Sequence, residues 1–107
     1  MLVYENERRM KPYIAIIHQE GDSAYGVSFP DAPGCFSAAD ELDDLFAMAT
    51  EALEGWTEGM IEEGLPILPT RDLSEIMGDP EWAESFADAV LVIALPPPRA
   101  RSTQQAA

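Results

Sequence analysis

One cysteine, one histidine and six basic residues are what this 107-residue chain has least of, and each scarcity removes a class of function. Cys35 alone cannot form a disulfide within the chain. With His18 as the sole histidine, the Cys/His sets of structural zinc and iron–sulfur sites are excluded, and no cofactor or metal is expected. Six Lys and Arg against twenty Asp and Glu give a formal charge of −14 and a pI near 4.1. The molecular field therefore repels phosphates, so direct nucleic-acid binding is not expected, while basic partners are attracted. No run approaches the roughly 18 consecutive apolar residues of a membrane-spanning helix, and residues 1–10 lack a signal peptide's apolar core. A soluble, cytoplasmic protein is expected. Neither a Gly-rich phosphate loop nor a hydrolase nucleophile elbow is present.

What is present suits one small domain: 47% hydrophobic residues suffice for a core at this length. Residues 1–10 read as an N-terminal extension and 11–95 as the domain. Residues 13–18, Tyr-Ile-Ala-Ile-Ile-His, form a nearly continuous apolar, partly β-branched run, the pattern of a strand buried on both faces. Glu20 to Ser23 is a turn, and Ala24 to Phe29 alternates, completing a hairpin. Pro33-Gly34 fits the central pair of a type II turn, Cys35 to Ala38 supplies a third strand, and Asp40 is placed to cap a helix. From Glu41 to about Glu63, Leu42, Leu45, Phe46, Ala49, Ala52, Leu53, Trp56 and Met60 define one apolar helical face, with Phe46 and Trp56 expected in the core. Gly64 and Pro66 end that helix. Asp72 to Met77 is a short helix capped by Thr70 or Asp72, and Asp79 to Trp82 a turn or helical start. Ala89 to Leu95 reads as an interior strand. Pro96-Pro97-Pro98 stops it, and 96–107 reads as a disordered tail.

The expected architecture is α/β (α+β), β-β-β-α-β, with a small mixed sheet in the spatial order third, second, first, last. In it the helix acts as a crossover bringing the last strand in parallel to the first. Both apolar strands then lie near the sheet centre. One helix covers only one face, so the other needs the 72–86 connector or a second chain, and self-association as a dimer or tetramer is expected.

Tyr13-Ile-Ala-Ile, the Gly21-Asp22 turn, Ser28-Phe-Pro-Asp-Ala-Pro-Gly-Cys35, Glu51-Ala-Leu and Leu65-Pro66 follow one another in a pattern that resembles the HicB-type antitoxin domain of bacterial toxin–antitoxin pairs. The resemblance covers residues 11–95. It implies a partial ribonuclease-H-like fold that binds and occludes a HicA-type toxin, a small basic ribonuclease that cuts messenger RNA. An orphan oligomeric module without a toxin is the alternative. Many members carry a C-terminal DNA-binding segment; after Leu95 this chain offers three prolines and a short tail, so neutralisation alone is carried over.

No catalytic residue is expected. A two-metal nuclease needs converging carboxylates, and although Asp88, Glu51 and Glu54 remain, the first strand contributes none. His18 reads as a strand-end structural residue and Cys35 as a small buried hydrophobe. Candidate partner contacts are Asp31 on the proline turn, the acidic helix face of Asp43, Asp44, Glu51, Glu54 and Glu58, and the connector aromatics Trp82 and Phe86.

Overall fold

The computed structural model describes residues 11–98; the extension at 1–10 and the tail beyond Pro98 lie outside them. Strand β1 spans Tyr13–His18, β2 Tyr25–Ser28, β3 Phe36–Ala39 and β4 Leu91–Leu95. Helix α1 spans Leu42–Glu62, α2 Leu73–Met77 and α3 Ala83–Ala87, with a single 3₁₀ turn at Pro80–Trp82. The spatial order is β3-β2-β1-β4.

Turn chemistry sets the first three strands. Gly21 takes φ +58° in the hairpin turn, where the Ser23 N–H and hydroxyl both donate to the Glu20 carbonyl. In the second turn the Cys35 N–H donates to the Ala32 carbonyl at 3.0 Å, and Gly34 adopts φ +86°. That conformation is the one a type II turn demands of the residue after Pro33.

The sheet is antiparallel throughout, which corrects the mixed sheet expected from the sequence. The reason is the connector. Helix α1 carries the chain from the Ala39 end of β3 to the Tyr13 end of β1, where the Thr70 hydroxyl donates to the Lys11 carbonyl and accepts from the Lys11 N–H. Entering β4 there would have made it parallel to β1. Instead residues 71–88 run back across the sheet's other face to the His18 end, where the His18 Nε2–H donates to the Ser85 carbonyl at 3.0 Å. The chain therefore enters β4 beside Ile17 and leaves it beside Tyr13.

Two layers of core result. Tyr13, Ala15, Ile17, Val27, Phe29, Leu45, Ala49, Leu53 and Leu95 pack between the sheet and α1. Ala32, Cys35 and Ala39 join that cluster, and the buried apolar residues outside it are Ile14, Ile16 and Ile76, the first two alternating onto the opposite face and the third supplied by the connector. The second face of β1 is thus closed within one chain. β4 lies at the sheet edge rather than its interior, and Val90, Leu91 and Val92 are exposed.

Helix α1 also departs from expectation at two points. Its cap position is Glu41, whose side chain makes no capping bond, rather than Asp40. Phe46 is 56% exposed, because the buried line runs Leu45, Ala49, Leu53, Thr57 and leaves Phe46 one residue off it. Trp56 is half-buried, edge-on to Tyr13 at a centroid distance of 6.2 Å, with its indole N–H donating to the Pro33 carbonyl at 2.9 Å. At the C-terminus the Leu65 N–H donates to the Met60 carbonyl while Gly64 takes φ +69°, the left-handed stop that glycine permits.

Candidate interaction surfaces

The acidic residues of α1 share one side of the helix. At 100° per residue, positions 43, 44, 51, 54 and 58 fall within an arc of about 100°, opposite the buried line. Asp43, Asp44, Glu51 and Glu54 are exposed and Glu58 is half-buried. Asp43 and Asp44 lie in the first turn, where the helix dipole stabilises them, and no basic residue occupies the last turn. Beside this face, Ala38, Ala39, Asp40, Asp44, Ala47 and Met48 line a shallow crevice of about 320 Å³.

Asp31 sits elsewhere and is occupied. Its side chain is only 9% exposed, one oxygen accepting from Arg71 Nε at 2.8 Å and the other from the Arg71 backbone N–H at 2.7 Å. Arg71 extends a second bond, through Nη1, to Asp79 at 3.1 Å. The Asp31 hydrogen bond holds the guanidinium charge more firmly than usual. The Asp79 carboxyl is held below the ordinary carboxylate value, first by the Glu81 backbone N–H and then by Arg71. Arg71 thus clamps the Pro30–Gly34 turn to the connector. Sequence reasoning missed it, although an isolated arginine in so acidic a chain was the available signal. Lys11 is the other cation among the described residues, and it pairs with Asp72 at 2.9 Å. Both described cations are therefore engaged, and the surface field is set by the acids.

Trp82, in the 3₁₀ turn, and Phe86, in α3, are each half-buried in the connector, away from the acidic side of α1. Asp79 caps that turn by accepting from the Glu81 N–H at 3.0 Å, and Pro80 at its start supplies the fixed φ. The Cys35 thiol is buried, donates to the Ala52 carbonyl at 3.5 Å and is pushed by burial up to about 11. Burial likewise raises the Tyr13 phenol, with Asp31 contributing. Among the described residues no three His, Cys, Asp or Glu side chains converge as a metal site would require. Nor is any described helix long and apolar enough to cross a membrane.

An acidic α+β domain with a four-stranded antiparallel sheet, one long helix and a clamped connector is the class these observations define. The model of the HicB-like antitoxins of bacterial toxin–antitoxin systems matches residues 13–104, and the chain belongs to that family. Among curated proteins it is 33% identical over 69 residues to an uncharacterized 14.9 kDa protein of the rep-hol intergenic region of Haemophilus phage HP1; the aligned part is 64% of this chain and 52% of that protein. The chain thus spans about half the length of that relative. The antitoxin HicB of Burkholderia pseudomallei has a similar solved structure (TM-score 0.64, 29% identity, 80% of this chain and 62% of that one). A HicA3–HicB3 toxin–antitoxin complex is also similar, with a TM-score of 0.64, 25% identity, and coverage of 81% of this chain and 98% of that chain.

Proposed function

We propose that this chain is an antitoxin that binds a HicA-type toxin, a small basic ribonuclease acting on messenger RNA, and neutralises it by covering it. The family match across residues 13–104 carries the reading. Charge supports it: a chain at −14, with four exposed acids aligned on α1, attracts a basic protein and speeds its encounter. Asp43, Asp44, Glu51, Glu54 and Glu58 are the electrostatic contacts in this reading. Trp82 and Phe86 are the apolar anchors, and Asp31 acts by holding its turn to Arg71. The domain is residues 11–95, acts in the cytoplasm as a homo-oligomer, and does no chemistry of its own.

The test is to express the native locus with a tag on this chain and weigh what co-purifies. A small basic partner whose RNA cleavage stops at equimolar antitoxin is the expected result. A homogeneous homo-oligomer with no partner would replace this reading with that of an orphan interaction module, which the exposed apolar strand β4 favours.

A further inference from the structure

We propose that the outer edge of β4 pairs, antiparallel and across a two-fold axis, with β4 of a second copy of this chain, joining the two sheets into one. The inference deepens the self-association proposed above and is independent of the toxin.

β4 is a terminal strand of the sheet, and among the described residues no strand pairs with its outer side. An open strand edge is a template for another strand, and proteins that must remain monomeric protect it with charge, proline or a bulge. Leu91–Leu95, Leu-Val-Ile-Ala-Leu, has neither charge nor proline, and no ionisable side chain occurs from Ala89 through Pro98. The opposite edge differs. β3 is flanked by Asp40 and Glu41 and lies under α1, whereas of β4 only Leu95 is buried in the helix-side core. Apolar side chains are accordingly exposed on both faces of this last strand, Leu91 at 40% on the helix side and Val92 at 36% on the other.

Charge selects the occupant. A basic partner is drawn to the acids of α1 and gains nothing electrostatically at an uncharged strand. Two copies at −14 repel each other, least where local charge is absent, so a neutral edge is where they can meet. The strand is also self-complementary. Pairing centred on Ile93 sets Leu91 against Leu95 of the other copy and Val92 against Ala94, and it places Asp88 opposite Pro98, so no acid faces an acid. The prolines that follow Leu95 lack N–H donors and end the ladder there.

The test uses the full chain in sedimentation and light-scattering measurements over about a hundredfold range of concentration. The expected result is a dimer that tightens with added salt, because salt screens the repulsion between copies and leaves the apolar contact intact. The β4 amides that point away from β1 should be protected from exchange at high concentration and open on dilution. Val92→Lys and Ala94→Lys should each weaken the dimer at least about tenfold while the far-ultraviolet circular dichroism is unchanged. A wild-type chain that stays monomeric, a dimer in which those β4 amides exchange freely, or a dimer untouched by both substitutions would overturn the pairing. So would loss of the dimer on truncation after Pro98, which would assign the edge to the chain's own tail. Monomeric Val92→Lys that still silences the toxin leaves the antitoxin reading standing, and a β4 dimer without any toxin leaves the pairing standing.

Discussion

Arg71 ties two segments distant in sequence through a carboxylate that is nearly enclosed. Removing one partner of such a pair leaves the other charge partly desolvated and uncompensated. Asp31→Asn is expected to cost about 1–3 kcal/mol in denaturant unfolding, with the lower part of that range favoured by Arg71's residual exposure. A double-mutant cycle with Arg71→Ala should show coupling of about 1 kcal/mol or more; additive losses would mean that the clamp is not a unit. Asp79 adds a pH dependence at the same node. Its folded value is depressed, so its contribution is present above the ordinary carboxylate value and is lost as pH falls through the lower, folded one. Acid unfolding of Asp79→Asn should therefore begin from a less stable state but show a shallower loss below about pH 4. Cys35 gives the opposite sign at the alkaline end. Its thiol is raised to about 11, so stability is fully present below the unfolded value near 9 and falls as pH rises through 11. Native protein at pH 8 should react with a thiol reagent far more slowly than unfolded protein, and equal rates would show that the site opens freely.

At the scale of elements, α1 offers a paired test of which side chains hold the fold. Leu53 is fully buried on the line between helix and sheet, and Leu53→Ala is expected to cost about 2–5 kcal/mol. Phe46→Ala should change stability by no more than about 0.5 kcal/mol, despite the larger side chain, because Phe46 already faces solvent. Equal losses from the two, read from urea midpoints at constant slope, would place Phe46 back in the core. This pair also marks how far the sequence was legible. β1 was readable to the residue, since six apolar or strand-ending positions bounded by Pro12 and a turn admit no other element. The type II turn was equally plain, because Pro33-Gly34 specifies its dihedrals locally. Phe46 was misplaced because a helical stripe identifies a face but not how wide a sheet lies beneath it. The direction of β4 escaped for a related reason. Periodicity locates a strand, whereas its sense depended on contacts such as Lys11–Thr70 and His18–Ser85, between residues far apart in the chain. Asp31 was legible as a rigid turn residue; its partner Arg71 is forty positions away, beyond any local pattern.

Charge acts on the whole molecule, and the two proposed associations depend on it with opposite signs. Capture of a basic toxin is assisted by the field of the acidic chain, and the Debye length of about 10 Å at 0.1 M salt means that this assistance fades as salt rises. Pairing of two copies at β4 is opposed by the same field and should strengthen with salt. Reversing two exposed acids of α1, Glu51→Lys with Glu54→Lys, separates the effects without touching the core. Each reversal adds two charges, so the net charge moves from −14 to −14 + 4 = −10. The association rate with the toxin is then expected to fall about tenfold or more at low salt and to lose most of its salt dependence. The homodimer should become tighter at low salt, because less repulsion remains to be screened. If the toxin rate were unchanged, α1 would not be the face that steers it, and the connector around Trp82 and Phe86 would be the surface to alter next. If the homodimer weakened instead, copies would be meeting across α1, and the uncharged edge of β4 would have to be covered by something else.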